Sequence, residues 1–369
     1  MRILQLCCDP GIAYGGVKGA SVHLGELSRA FTEEGAEVLV VAARNQCARP
    51  PAGVSVEVLS PAPAPAGRAA HDRRRTERLV EIIERWKPDL VYERLSLYSA
   101  AGVVAAGATA VPHLLEVNAP LPREAARYRT LDDPALALSL ERLVLCGTDV
   151  VLAVSAPIAR YALQRGARQV EVCPNAVDPS RFPNPAEPGR QPVRAVFSGS
   201  LRPWHGSQTL AEAWALLGPG APALMVIGDG TGRESLEAAG ATVTGMVSHG
   251  RVPALLAEAS IGLAPYPADA PDYFSPLKLF EYLAAGLPVV AADIPGITDV
   301  AGEVALLVPR GDAEALAVAV AELSADSGLR RRLGARGRKL VLGLHTWRHR
   351  AQGIIKLAGD VSREVAGAR

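Results

Sequence analysis

In the stretch PDYFSPLKLFEYLAAGLPVVAADIPG, residues 271 to 296, Lys278 and Glu281 interrupt an otherwise apolar, helix-forming run. Charged side chains on a face that a helix would bury are costly unless something pairs with them. Ser275 and Pro276 stand just before them, a capping side chain followed by a residue suited to the first helical position, so the spacing predicts a helix that starts at Pro276. The first N–H groups of such a helix have no acceptor within it and favour negative charge. Lys278, in the first turn, opposes the helix dipole, and an anion lying between the two would relieve the conflict. Anion binding is one reading; an intrahelical pair of Lys278 with Glu281, three residues on, is the other.

Familiar phosphate loops are absent. GIAYGGVKGA comes near a Walker loop, but Val17 follows Gly16 where that motif requires lysine. GDGTGR supplies Gly228 and Gly230, yet Arg233 stands where the dinucleotide fingerprint needs a third glycine. No H-E-x-x-H, G-x-S-x-G or paired-aspartate metal motif occurs, so neither a hydrolytic triad nor a metal centre is expected. Gly15 and Gly16 precede the first amphipathic stretch, where a loop free of side chains lets backbone N–H groups approach an anion, or simply turns from strand to helix. His23, inside that stretch, reads as a packing histidine as readily as a ligand.

The elements around these residues alternate. RILQLCC, ASVHLGELSRAFTEEG and AEVLVVAAR form a β-α-β succession, with Leu24, Leu27, Ala30 and Phe31 at helical spacing and Gly35 where the helix would stop. VSVEVLS, RLVEIIERW, PDLVYER, HLLEVN and DVVLAVS continue it, while PAPAPA at 61–66 reads as a surface connection. After a proline-rich span at 174–192 the pattern restarts with VRAVFSGS, QTLAEAWALL, ALMVIGDG, ATVTGMV, VPALLAEAS, IGLAPY, LKLFEYLAAG, PVVAAD and VALLV. Two Rossmann-like halves follow from this order. From Ala313 to about Ala358 the pattern is helical, with a break at LGLHTW, and periodicity does not say which half the end joins.

Bulk properties agree with two domains. The chain has 369 residues, beyond the size at which one core usually stops growing. Lysine and arginine total 39 against 38 aspartate and glutamate, which argues against general attraction to nucleic acid. Cys7, Cys8, Cys47, Cys146 and Cys173 lack C-x-x-C spacing and read as reduced thiols. The opening MRILQLCCDPG is too short in apolar residues for a signal peptide or a membrane span. A cytoplasmic protein is expected, with peripheral membrane contact left open.

In order and spacing, GGVKGASVHLGELSRAFTEEGAEVLVV, EVNAPLPREAARYR, VSAPIARYALQRGARQVEVCPNAVDPSRF, FSGSLRPWHGSQTLAEAW, VIGDGTGRESLE and FSPLKLFEYLAAGLPVVA resemble the retaining, nucleotide-sugar-dependent glycosyltransferases of the GT-B fold, specifically the GT4 family. The resemblance implies an α/β chain of two Rossmann-like domains facing each other across a cleft: residues 1–176 for the acceptor, 177–344 for the donor, and a C-terminal helix at about 345–369 that packs back on the first. It implies transfer of a hexose-type sugar from a donor such as UDP- or GDP-hexose to a small-molecule, glycan or lipid-linked hydroxyl acceptor, with no cofactor and no metal. A nucleotide-sugar epimerase or phosphorylase on the same fold, or a non-catalytic binder, are the alternatives.

The same resemblance assigns roles by position. Glu281 matches the second acid of the E-x7-E motif, which accepts hydrogen bonds from the donor ribose. The first acid falls at Tyr273, so this looks like the variant in which FSPLK replaces EGFG, with Phe274, Ser275, Pro276 and Leu277 presenting backbone to the sugar and diphosphate. Pro276 itself has no N–H to give, and Asp272 is only a weak substitute for the missing acid. Lys278 would neutralise phosphate. GSLRPWHG aligns with the family's G-R-L-x-x-x-K-G, which leaves Arg202 and His205 as the cations and Ser200 in place of arginine. His205, with an ordinary pKa of about 6.5, would be only partly charged at neutral pH unless phosphates raise it, so activity would fall on the alkaline side. In LLEVNAP, Asn118 replaces a common histidine, and Glu116 and Asn118 would face the cleft from one side of a strand. Asn118 would hydrogen-bond the sugar. Gly16 would join Lys278, Arg202 and His205 on the diphosphate, Met246 and Val247 would lie near the base, and closure about residues 174–192 would exclude water.

Overall fold

The structure is a computed structural model, and it describes residues 1–59, 67–183, 186–187 and 189–367. The proline run at 61–66 and positions 184, 185 and 188 of the proline-rich span lie outside these residues. Two compact units are formed: Met1–Pro174 together with Trp347–Arg369, and Asn175–Thr346.

The first unit runs β1 (Arg2–Cys7), α1 (Gly19–Glu33), β2 (Glu37–Ala42), β3 (Val54–Val58), α2 (Arg68–Trp86), β4 (Leu90–Arg94), α3 (Ala101–Thr109), β5 (His113–Val117), α4 (Leu121–Tyr128), α5 (Pro134–Gly147), β6 (Val150–Ala153), α6 (Ala156–Gln164) and β7 (Val170–Val172). Its sheet is parallel, in the order β3-β2-β1-β4-β5-β6-β7, with Leu4 opposite Leu39 on one side and Val91 on the other. Central strands of such a sheet are covered on both faces, which is why they read as continuous apolar runs. Leu4, Leu6, Leu39, Val41 and Val91 pack with Leu79, Ile82 and Ile83 of α2 and with Ala101 and Ala105 of α3. The run AGVVAAGAT is small and apolar all round, so α3 has no periodic signature in the sequence.

The second unit runs β8 (Arg194–Ser198), α7 (Ser207–Leu217), β9 (Ala223–Ile227), α8 (Arg233–Ala238), β10 (Thr242–Val243), α9 (Val252–Ala257), β11 (Ile261–Ala264), α10 (Leu277–Ala284), β12 (Val289–Ala292), α11 (Pro295–Ala301), β13 (Ala305–Val308), α12 (Ala313–Ala325) and α13 (Ser327–Leu344). Its parallel sheet has the order β10-β9-β8-β11-β12-β13, so the direction of winding reverses between β8 and β11. Alternate residues feed two cores. Phe197, Leu263 and Val290 pack with Leu210 and Trp214 of α7 and with Leu316 and Val320 of α12. Val196, Ala264, Val289 and Ala291 pack with Leu279, Phe280 and Leu283 of α10.

The last helix, α14 (Trp347–Gly367), belongs to the first unit and lies along α1. Arg348 Nε and Gln352 Nε2 both reach the carboxylate of Glu34, at 2.6 and 3.0 Å. The helical stretch from Ala313 breaks at His345–Thr346 and also at Asp326, a break the pattern alone does not predict. There the Asp326 carboxylate accepts from Leu329 N at 2.8 Å, capping a new helix. All five cysteines are free. No helix among the described residues is long and apolar enough to cross a membrane.

Candidate functional site

Where winding reverses, the loops after β8 and β9 leave the carboxyl edge of the second sheet side by side, the position at which doubly wound folds bind ligands. Gly199 N donates to Ile227 O at 2.9 Å, and Leu201 N donates to Asp229 O at 2.9 Å. The approach is close enough to exclude side chains: a Cβ on Gly228 would lie 1.9 Å from Gly199 O, and φ at Gly228 is +145°. Tyr282 of α10 ties this edge to the neighbouring strand, its hydroxyl accepting from Ser198 N at 2.6 Å and donating to Leu263 O at 3.2 Å.

Lys278 projects from the first turn of α10 to the same edge. It is 8% exposed, its Nζ lies 3.8 Å from the centroid of Phe197, and it has no hydrogen-bond partner among the described residues. Burial lowers its pKa to about 7, with Glu281 acting weakly the other way. The intrahelical pair with Glu281 is therefore not formed. The helix itself begins one residue later than the sequence predicts, at Leu277, with Pro276 as its cap. Ser275 does not cap it, because its hydroxyl accepts from Asn175 N at 3.0 Å while its carbonyl accepts from the Asn175 amide. That partner is a hundred residues away in sequence, so no local pattern could reveal it.

His205 closes a 3-10 turn, Pro203–His205, ahead of α7. Its Nδ1 lies 2.6 Å from Ser200 O and 3.2 Å from Ser200 Oγ. Burial first, and then Lys278 and Arg202, lower its pKa to about 4, against a raising contribution from Ser200 O. The expected second cation is thus a neutral imidazole in the ligand-free protein. With Nδ1–H donating to the carbonyl, Nε2 is left as an acceptor. Arg202 is exposed, with its guanidinium 5.9 Å from the Trp204 ring centroid. Tyr266 packs on Phe274 at 5.4 Å between centroids, and Tyr273 on Phe274 at 5.1 Å, so Tyr273 stands in an aromatic cluster.

Glu281 has a partner that sequence reasoning missed. His249 Nε2 lies 2.7 Å from Glu281 Oε1, and Arg181 Nη1 lies 2.7 Å from His249 Nδ1. Arg181 and His249 come from segments 68 residues apart, PSRF and SHGR, and neither the residue patterns nor the family resemblance assigns either side chain a role. Met246, 61% exposed, and Val247, packed on the α10 core, precede His249 in the same loop.

The remaining candidates belong to the first unit. Glu116 and Asn118 do not share a strand face, because β5 ends at Val117 and Asn118 lies beyond it. Glu116 is 4% exposed and fully engaged: His23 Nε2 lies 2.8 Å from Oε2, Arg94 Nη1 lies 2.5 Å from Oε1, and Tyr92 donates its hydroxyl to Oε2. Burial raises its pKa, but His23 and Arg94 more than offset this and hold it at about 2. His23 also stacks on Trp347, 4.6 Å between centroids, so Glu116 organises a buried network. Gly15 is required by packing, since at φ +76° a Cβ would lie 2.7 Å from the Cys47 backbone. Gly16 N already donates to Ala13 O at 3.1 Å, which fits a turn better than an anion loop.

Residues 17–181 match the family described as Glycosyltransferase Family 4, and residues 192–326 match that described as Glycosyl transferases group 1. A 2-deoxystreptamine N-acetyl-D-glucosaminyltransferase of Streptomyces fradiae is 33% identical over 136 residues, which is 34% of this chain and 31% of that relative's length. Among solved structures, a sucrose-phosphate synthase of Thermosynechococcus elongatus superposes with a TM-score of 0.76 at 18% identity over 100% of both chains. Anabaena HepE in complex with UDP-glucose gives 0.73 at 18% identity, over 98% of this chain and 100% of that one. At these identities the likeness to solved structures speaks for the fold alone.

Proposed function

Since the chain belongs to the GT4 family of glycosyltransferases and has the GT-B fold, we propose that it transfers a hexose-type sugar from a nucleoside diphosphate to a hydroxyl acceptor. In this reading the unit Asn175–Thr346 binds the donor and the unit containing Met1–Pro174 binds the acceptor. The anomeric configuration is retained and no metal takes part.

One observation carries the reading: the buried ammonium of Lys278, without a hydrogen-bond partner among the described residues, at the start of α10 and at the winding reversal of its sheet. A buried amine with a depressed pKa gains most from a neighbouring anion, since the anion restores the charge that burial opposes. A diphosphate supplies two such charges. In the transition state the sugar becomes oxocarbenium-like and negative charge grows on the leaving diphosphate, which accepts the acceptor's proton on the face it leaves. Lys278, Arg202 and the first N–H groups of α10 stabilise that charge without reorganising. His205, neutral, accepts a hydrogen bond from a sugar hydroxyl through Nε2. Glu281 accepts from the ribose, and Met246 and Val247 flank the base.

The experiment is incubation with UDP-, GDP- and ADP-sugars plus a set of hydroxyl acceptors, with nucleotide release followed. The S. fradiae relative is named for transfer to 2-deoxystreptamine, and HepE was crystallised with UDP-glucose, so aminocyclitols and uridine donors come first. Acceptor-dependent release with an α-linked product from an α-linked donor supports the proposal. Binding without release, across the whole set, supports a non-catalytic binder.

A further inference from the structure

We infer that Arg181 and His249 form a relay that fixes the orientation of Glu281 towards the donor ribose, an assignment that rests on the donor reading above. Arg181 ends a 3-10 turn, Pro179–Arg181, that Asp178 holds by accepting from Ser180 N at 2.9 Å. From there the guanidinium holds His249, with Nη2 donating to the His249 carbonyl at 2.5 Å and Nη1 lying 2.7 Å from Nδ1 and 2.9 Å from Nε2. The Glu281 carboxylate only accepts, so Nε2, which faces it, carries a ring proton, and Nδ1 is the nitrogen left to accept from the guanidinium. That proton points at Glu281 Oε1, 2.7 Å away.

The consequence is geometric. The terminal torsion of a glutamate is broad, and a carboxylate on a helix surface samples many orientations. Here one oxygen is held by a ring that is itself held at both its backbone and its far nitrogen. Glu281 is 12% exposed in its side chain and His249 24%, so water competes weakly for the bond. Glu281 lies three residues beyond Lys278 on α10, and positions so spaced share a helix face. Fixing Oε1 on His249 leaves Oε2, which has no hydrogen-bond partner among the described residues, to accept from a ribose hydroxyl. His249 is therefore a positioning residue, acting through Glu281 and not on the reacting atoms.

The test compares binding of UDP and 2′-deoxy-UDP in the wild type, His249→Phe and His249→Gln. Hydrogen bonds to a charged acceptor give discrimination of about tenfold or more in the wild type. In His249→Phe the ratio falls below about threefold, through loss of UDP affinity and not gain of deoxy-UDP affinity; the donor KM rises about tenfold while kcat changes less than about threefold. His249→Gln, whose amide can donate from near the Nε2 position, restores most of the ratio. Both ligands are measured on one preparation, so partial unfolding does not imitate the effect. A His249→Phe protein that discriminates like the wild type overturns the relay alone. A wild type that binds both nucleotides equally overturns the ribose role of Glu281 and the relay with it, and a wild type that binds none of UDP, GDP and ADP overturns the donor reading.

Discussion

The Nζ of Lys278 stands 3.0 Å from the point that a Cβ on Gly199 would occupy. The space for the ammonium is thus made by a missing side chain at the end of β8, where φ is +143° and glycine is favoured. Sheet edge, glycine and helix start together produce a buried cation in an otherwise apolar setting. The functional claims follow from that placement.

Lys278, not His205, sets the alkaline limb of activity. With a pKa of about 7 in the free protein, Lys278 loses its proton through neutrality, whereas His205 at about 4 is already neutral. Since kcat/KM reports the free enzyme, it should fall about tenfold per pH unit above ~7. His205→Asn should keep that limb. A profile in which His205→Asn abolishes it would assign the titration to the imidazole instead.

The same shift makes Lys278 a liability in the ligand-free protein. Between a folded pKa of about 7 and the ordinary 10.5, the unfolded chain holds more protons, so stability rises with pH across that window; below it the ammonium is charged in both states and burial is penalised in full. Lys278→Met should therefore stabilise the protein at pH 6 by on the order of 1–4 kcal/mol, read as a higher Tm, with a smaller gain at pH 10. Thermal unfolding at the two pH values checks this, and a gain that grows with pH would contradict it.

Much of the architecture is legible in the sequence, because parallel strands buried on both faces and amphipathic helices leave opposite patterns, as in RILQLCC against ASVHLGELSRAFTEEG. The oddity of Lys278 was legible for the same reason. What was not legible depends on tertiary neighbours. Asn175 takes the Ser275 hydroxyl that local rules assign to a helix cap, burial neutralises His205, and His249 reaches Glu281 across 32 residues. Alternation along LLEVN placed Glu116 beside Asn118, but strand length and the partners His23 and Arg94 are set elsewhere in the fold.

Gly228→Ala should be among the most damaging single-methyl changes in the second unit. Its Cβ would meet the Gly199 carbonyl at 1.9 Å, a backbone atom that cannot swing aside, in a conformation L residues rarely adopt. A loss of about 3 kcal/mol or more is expected, read as a lower urea midpoint. An unchanged midpoint would mean that the two loops are not held together as described.

Glu116 supplies acid sensitivity to the first unit. Its folded pKa of about 2 lies below the ordinary 4.5, so its contribution is present above 4.5 and is lost as pH falls through about 2. Glu116→Gln should cost about 3–5 kcal/mol at pH 7, because His23 and Arg94 lose a buried partner. It should also flatten the stability curve between pH 4.5 and 2. Acid unfolding of the two proteins should therefore converge; parallel curves would show that Glu116 does not carry the effect.

The central claim is that Lys278 receives the donor diphosphate. Calorimetric titration of the tightest-binding nucleotide sugar at pH 8, in two buffers of different ionisation enthalpy, tests it directly, because the diphosphate diester does not itself titrate near that pH. Lys278 is mostly neutral there when free and is charged when an anion occupies its site, so binding should take up close to one proton per donor, and Lys278→Met should take up none. Tight binding to the wild type with no proton uptake would contradict the account.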